Sequence, residues 1–136
     1  MSSISPRLRR LVVRRAGNRC EYCQLSQIGQ EATFHIDHII PEAAGGKTDE
    51  DNLALACVSC SLRKEARETG FDTETSKHVA LFHPRRDLWK EHFRWHGVTA
   101  EGISDKGRAT ITVLKMNREP ILAIREEETL RKRHPP

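Results

Sequence analysis

Two Cys-x-x-Cys pairs constrain this chain more than anything else in its sequence. Cys20 and Cys23 form the first pair and Cys57 and Cys60 the second, with 33 residues between them and no cysteine left over. A pair at this spacing can turn both thiolates toward one ion, and two pairs complete the tetrahedral sulfur set that zinc prefers. Four sulfur ligands leave no open position for water, so such a Zn²⁺ would be structural. Disulfides are the competing reading, and with no secretory-type apolar segment after Met1 a metal is the expectation. A staple would matter energetically, because 37% hydrophobic and 5% aromatic content is modest for a self-sufficient core of 136 residues.

Charge is segregated along the chain. Through residue 30, six arginines face Glu21 alone, a balance of +5; residues 31–60 set six acids against Lys47, or −5; the remainder carries +4. An acidic centre framed by basic flanks suits a polyanion held in place while a cation acts on it, although charge runs also form ordinary solvated faces. No apolar run is long enough to span a bilayer, so no membrane partner is expected and the cytoplasm is the default location. The arginine-rich opening has the composition of a transit peptide but runs straight into Cys20.

Local patterns predict the elements. Ser5 as N-cap and Pro6 at the first helical position open a short helix, with Leu8, Leu11 and Val12 on one stripe and Arg7, Arg10 and Arg14 on another. Arg10 and Arg14 are candidate phosphate contacts. Phe34, Ile36 and Ile39-Ile40, bounded by Pro41, predict a strand, and Leu53–Ala56 a second. Ser61–Glu68 has helical composition ended by Gly70. Residues 71–83 read as irregular, 84–93 as a helix and 94–103 as a short hairpin. Residues 105–116 read two ways: Ile111 and Val113 alternate with Thr110 and Thr112 as in a strand, whereas Ser104 as N-cap and the stripe of Ala109, Val113 and Met116 favour a helix, which is the expectation. Asn117 caps a last helix over 118–131. The expected organisation is a core over residues 1–70 and a mostly helical extension over 71–136 packed on it.

Asp37-His38 is the candidate chemical centre. Hydrolysis of a phosphodiester at neutral pH needs a base for water and a cation for the charge on phosphate and leaving oxygen. His38 has the titration range of such a base, and Asp37 is a hard oxygen donor suited to Mg²⁺. Strand alternation would send the two to opposite faces unless the strand ends or bulges at His38. His35 shares a strand face with Asp37 and reads either as a packed strand histidine or as an alternative ligand.

Asp37-His38-Ile-Ile-Pro41, Gly45-Gly46, Asn52-Leu53 and Cys57-x-x-Cys60-Ser61-x-x-Lys64, taken in this order, resemble the HNH endonuclease family and its zinc-stapled branch. The stretches LFHPRRDLWKEHFRWHG and GRATITVLKMN look like the C-terminal extension of small stand-alone members. The resemblance implies an α+β fold with a ββα-metal core and DNA as substrate with RNA left open; low sequence specificity is expected because no recognition module is visible and backbone contacts carry little sequence information. The resemblance also implies His38 as general base, Asp37 as a ligand of a Mg²⁺ or Mn²⁺ ion, and Asn52 as the residue that organises the loop and orients His38. The second ligand position falls on Ser61, where the family usually has His or Asn. Glu65, one helical turn on, is expected to supply the missing oxygen, with Ser61 holding a bridging water. Arg63, Lys64 and Arg67 are candidate contacts to the DNA backbone. The alternative is a catalytically weakened or inactive zinc-containing DNA-binding protein of the same fold; a zinc-stabilised module whose arginine faces meet acidic protein is a third.

Overall fold

A computed structural model describes residues 4–136. The chain divides into two compact units, one running through Glu68 and regaining His83–Arg86, the other holding Thr69–Phe82 and Asp87–Pro136. The architecture is mixed α+β, and no described helix is long and apolar enough to cross a membrane.

The first unit opens with α1 (Pro6–Arg15). Ser5 caps it as the sequence predicts, its Oγ accepting from the Leu8 N–H at 3.1 Å, and Val12 is fully buried while the arginines stay outside. Gly17 and Asn18, both at positive φ, turn the chain into the first cysteine pair. β1 (His35–His38) then pairs antiparallel with β2 (Leu53–Ala56), His35 opposite Ala56 and His38 opposite Leu53. β2 is buried at every position, as a strand of apolar residues should be when both faces are covered. α2 (Val58–Lys64) follows at once, completing a ββα core. It stops short of the predicted end at Glu68, because Glu65 turns to φ +46° and closes the helix.

Side chains, rather than a third strand, hold the far side of β2. Arg15 donates to the Leu53 carbonyl at 2.7 Å, and Glu21 accepts from the Leu55 N–H at 2.8 Å. Arg85, from the returning segment, forms an ion pair with Glu21. Burial and the nearby Arg15 pull the Arg85 guanidinium down to about 10, so it is still charged at neutral pH.

The second unit adds strands to the expected helices. β3 (Thr69–Asp72) and β4 (Lys77–Ala80) form a hairpin where no regular structure was expected. Its turn is closed by Asp72, which accepts from the Thr75 N–H and hydroxyl at 3.2 and 2.7 Å. The helix expected over 84–93 is reduced to α3 (Trp89–His92), since Leu88 and Phe93 are both extended. β5 (Phe93–His96) and β6 (Thr99–Gly102) make the anticipated hairpin. Ser104 caps α4 (Asp105–Leu114) through the Gly107 N–H at 2.9 Å. α5 (Glu119–Leu130) is preceded by Arg118, not Asn117, at the cap; the Asn117 amide instead exchanges two 2.8 Å hydrogen bonds with the Ala100 backbone.

Asp72 also anchors this unit electrostatically. It is buried and accepts from Arg108 at 2.9 and 3.1 Å. Those bonds, together with Thr75, hold its carboxyl well below the usual carboxylate range. The unfolded chain takes up this proton near its ordinary pKa of about 4 and the folded chain only in stronger acid. The stabilisation is therefore complete at neutral pH and is lost as pH falls below that value. Thermal melts should show Asp72→Asn less stable than the wild type at pH 7, with a shallower decline between about pH 5 and pH 3.

Candidate functional site

The two cysteine pairs converge. All four sulfurs are buried and lie within 4.8 Å of one another, with Cys23 Sγ and Cys57 Sγ 3.7 Å apart. A tetrahedral ion with Zn–S bonds of 2.3 Å would set its sulfurs about 3.8 Å apart, so the donor set fits zinc in chemistry and in spacing. Backbone bonds shape the first knuckle, Cys20 N–H to the Leu25 carbonyl and Gln24 N–H to that of Cys20. The second pair opens α2, with Cys57 as N-cap and its Sγ accepting from the Cys60 N–H at 3.4 Å. Burial raises the Cys20 thiol, bonds among the sulfurs raise that of Cys60, and Cys57, which collects such bonds, is lowered. The four thiols could hold a zinc ion, which would let all of them lose their protons together.

Asp37 sits against this cluster. Its carboxylate is 8% exposed and faces α2, where the Lys64 ammonium, 2% exposed, lies 3.2 Å from Oδ2 and 3.5 Å from Oδ1. Tyr22, the residue before Cys23, donates its hydroxyl to Asp37 Oδ2 at 2.8 Å. Burial pushes the Asp37 carboxyl up from its ordinary value, against the downward pull of Lys64 and Tyr22. Lys64 also donates to the His38 carbonyl at 3.0 Å. Sequence reading placed Lys64 among the DNA contacts; its amine is instead enclosed, because a buried carboxylate needs a compensating cation. Tyr22 was missed, although a tyrosine within a buried knuckle must find a partner for its hydroxyl.

β1 ends at His38, which stands opposite Leu53 as the last residue of the ladder, and its charge acts on the neighbouring Asp37 carboxyl. Its Nε2 lies 2.8 Å from the Thr48 hydroxyl and 3.8 Å from Glu42, and the side chain keeps 16% of its surface open. Buried Asn52 shapes the loop that carries both partners. It accepts from the Ile40 N–H at 2.8 Å and donates to the Ile40 and Lys47 carbonyls at 3.0 and 2.9 Å. Its own carbonyl receives the Ile39 N–H at 2.9 Å, fixing the backbone just past His38. Gly46 is required there, since a Cβ would lie 1.7 Å from the Ile40 oxygen.

Ser61 faces β1 from α2, and its Oγ is 2.9 Å from His35 Nδ1. Glu65 does not share a helix face with Ser61 as expected: it lies beyond the last turn, at φ +46°, with its side chain exposed. Asp37 and His35 from β1 and the Ser61 hydroxyl from α2 thus offer carboxylate, imidazole and hydroxyl groups, with the carboxylate already engaged by Lys64 and Tyr22. Among the described residues, the cysteines form the one group of three or more His, Cys, Asp or Glu donors drawn that close together. Half-buried Arg63 bonds Ser59 at 3.2 Å, and Arg67 is exposed. Arg10 and Arg14 are exposed on α1, where with Arg7, Leu8, Leu11 and Glu50 they line a groove of about 730 Å³.

Residues 20–67 match the family model described as HNH endonuclease, a segment that holds both cysteine pairs, the β1–β2 hairpin and α2. No curated protein matches the chain.

Removing one member of a buried ion pair strands the other. Lys64→Met should cost about 3 kcal/mol or more in urea unfolding at neutral pH. Pairing it with Asp37→Asn should recover part of that loss, a coupling that a surface lysine would not show.

Proposed function

We propose that this chain, with its HNH endonuclease segment at residues 20–67, is a metal-dependent nuclease that hydrolyses DNA phosphodiester bonds. The observation that carries the reading is the placement of His38 within that segment. A partly open imidazole stands at the end of a strand, held by Thr48 on a loop fastened by Asn52, one residue from a buried carboxylate. In the proposed reaction His38 takes the proton of a water whose oxygen attacks phosphorus, and the bond to the leaving oxygen breaks. Asn52 holds the loop so that the imidazole stays aimed. Asp37 and Ser61 are the groups that would hold a Mg²⁺ or Mn²⁺ ion, which when bound would neutralise charge on the phosphate and leaving oxygen; β1 ends at His38, the condition under which one phosphate could meet both that ion and the imidazole. Exposed Arg67, Arg10 and Arg14, together with Arg63, would contact the DNA backbone, which carries little sequence information. The Cys20, Cys23, Cys57 and Cys60 set is proposed to bind a structural zinc.

A second reading is favoured by one feature. Lys64 and Tyr22 already occupy the Asp37 carboxylate, as expected of a DNA-binding protein that has lost its catalytic ion. Plasmid nicking by purified protein separates the two. Cleavage in Mg²⁺ or Mn²⁺, falling by about 10²- to 10⁴-fold in His38→Ala, supports the nuclease; tight DNA binding without cleavage supports the second reading.

The zinc assignment has its own test. Purified wild-type protein should contain about one zinc per chain by elemental analysis, and Cys60→Ser should lose the metal and the cooperative melt of the first unit together.

A further inference from the structure

Arginines of the second unit meet carboxylates: Arg94 pairs with Glu101, Arg108 with Asp72 and Arg133 with Glu128. Those along the α1 groove do not. Arg7, Arg10 and Arg14 are exposed, α1 contains no acid, and among the described residues no carboxylate pairs with any of the three. We propose that this groove is a track for double-stranded DNA, in which the three guanidiniums grip phosphates of one strand and Glu50 limits the grip. This rests on the reading of the chain as a protein that acts on DNA, and it adds the form of that DNA and a residue that tempers the hold on it.

Helix spacing sets the arginines in a row. With 3.6 residues per turn and a rise of 1.5 Å per residue, positions 7, 10 and 14 fall within an arc of about 60° and span about 10.5 Å along the axis. One strand of a duplex carries a charge about every 3.4 Å of its axis, so that length suits three phosphates. The groove has a volume of about 730 Å³, with half-buried Leu8 and Leu11 as its apolar lining. Grooves that hold single strands supply aromatic rings for the unstacked bases. Among the described residues no aromatic side chain lines this one. It offers charge to a phosphate backbone and nothing to a base, which matches a duplex whose bases are stacked inside.

Glu50 is the one lining residue that belongs neither to α1 nor to its cap. It comes from the 3-10 turn Glu50–Asn52 and is an exposed acid beside a row of unpaired cations. A phosphate drawn in by the arginines meets a repelling charge there, which weakens the hold and speeds release. In the chain Glu50 sits between Thr48, which holds the His38 ring, and Asn52, which fastens the loop. A strand gripped along α1 therefore passes the loop that carries the partner of the candidate base.

The test uses the full zinc-loaded chain with no Mg²⁺ or Mn²⁺ added, so that binding is read apart from cleavage. Fluorescence anisotropy follows a short labelled duplex, and one of its strands alone, over a series of KCl concentrations, with zinc content and thermal melts as checks on the fold. Arg7→Gln, Arg10→Gln and Arg14→Gln should each reduce the steepness of log Kobs against log[KCl] by about 0.9, and the triple variant by about three times as much. Arg131→Gln, whose charge is already met by Glu127, is the control and should change it by less. Glu50→Gln should tighten duplex binding about two- to fivefold at low salt, the size of one exposed charge interaction. A single strand held as tightly as the duplex overturns the proposal, as does a wild-type slope in the folded triple variant or an equal drop in Arg131→Gln. Duplex binding that Glu50→Gln leaves unchanged overturns the part given to Glu50. A wild type that binds no duplex overturns the track and leaves an acidic protein as the occupant. Cleavage is read separately, after Mn²⁺ is added: a chain that holds duplex through α1 yet cuts none overturns the nuclease and leaves the track standing. A triple variant that binds and cuts as the wild type does the reverse.

Discussion

Everything around the candidate centre depends on a buried charge that is not left alone. Asp37 is almost fully enclosed, and a carboxylate there is tolerable only because Lys64 comes up from α2 and Tyr22 across from the first cysteine knuckle. The three residues belong to three pieces of chain, and the convergence of the cysteine pairs brings two of them, the first knuckle and α2, together. Lys64 also grips the His38 carbonyl, so the same ammonium positions both members of the Asp-His pair. Such a pair adds less net stability than its Coulomb attraction suggests, because both ions leave water. What it does supply is register. A one-residue slip of β1 would bring Ile36 or His38 to face the ammonium and leave the carboxylate on the wrong side.

Much of this is legible in the sequence alone. The spacing of four cysteines foretold their convergence, and Leu53–Ala56 was a recognisable strand because it is short, apolar and followed by a cysteine turn. Ser5 and Ser104, each followed by an apolar stripe at helical spacing, mark two helices that the structure caps through those hydroxyls. What remained hidden is set by contacts distant in sequence. Lys64 reads as a surface cation on a basic helix, and only Asp37, 27 residues away, turns it inward. Glu65 has good helical composition, and no local signal betrays the left-handed turn that removes it from α2. Asn117 was a plausible cap whose amide is claimed by Ala100, 17 positions back. The β3–β4 hairpin escaped because its polar strands lack a clean apolar alternation.

The charge segregation also acquires a sharper meaning. Of the acids in the middle stretch, Asp37 is spent on Lys64, Glu42 stands within 3.8 Å of His38, and Asp49 caps a short 3-10 turn at the Asp51 N–H. The negative charge is therefore partly structural and less available to cations than its count implies. The arginines of α1 are different. Arg10 and Arg14 remain exposed along one groove, the disposition expected of groups that meet a polyanion.

α2 has only seven residues, fewer than two full turns in all. A helix that short cannot offset the entropy of its own nucleation in water. Its first turn is written into the second cysteine pair, with Cys57 as the cap and Cys60 inside. The segment bearing Lys64 and Ser61 thus has no independent existence as a helix. Its shape is tied to the sulfur cluster, and without that shape Asp37 would have no counter-charge and His35 no hydroxyl partner. The centre is thereby coupled to the cysteines at the start of the same short helix, so that a chain whose sulfur cluster is open would carry the residues of the site without the site.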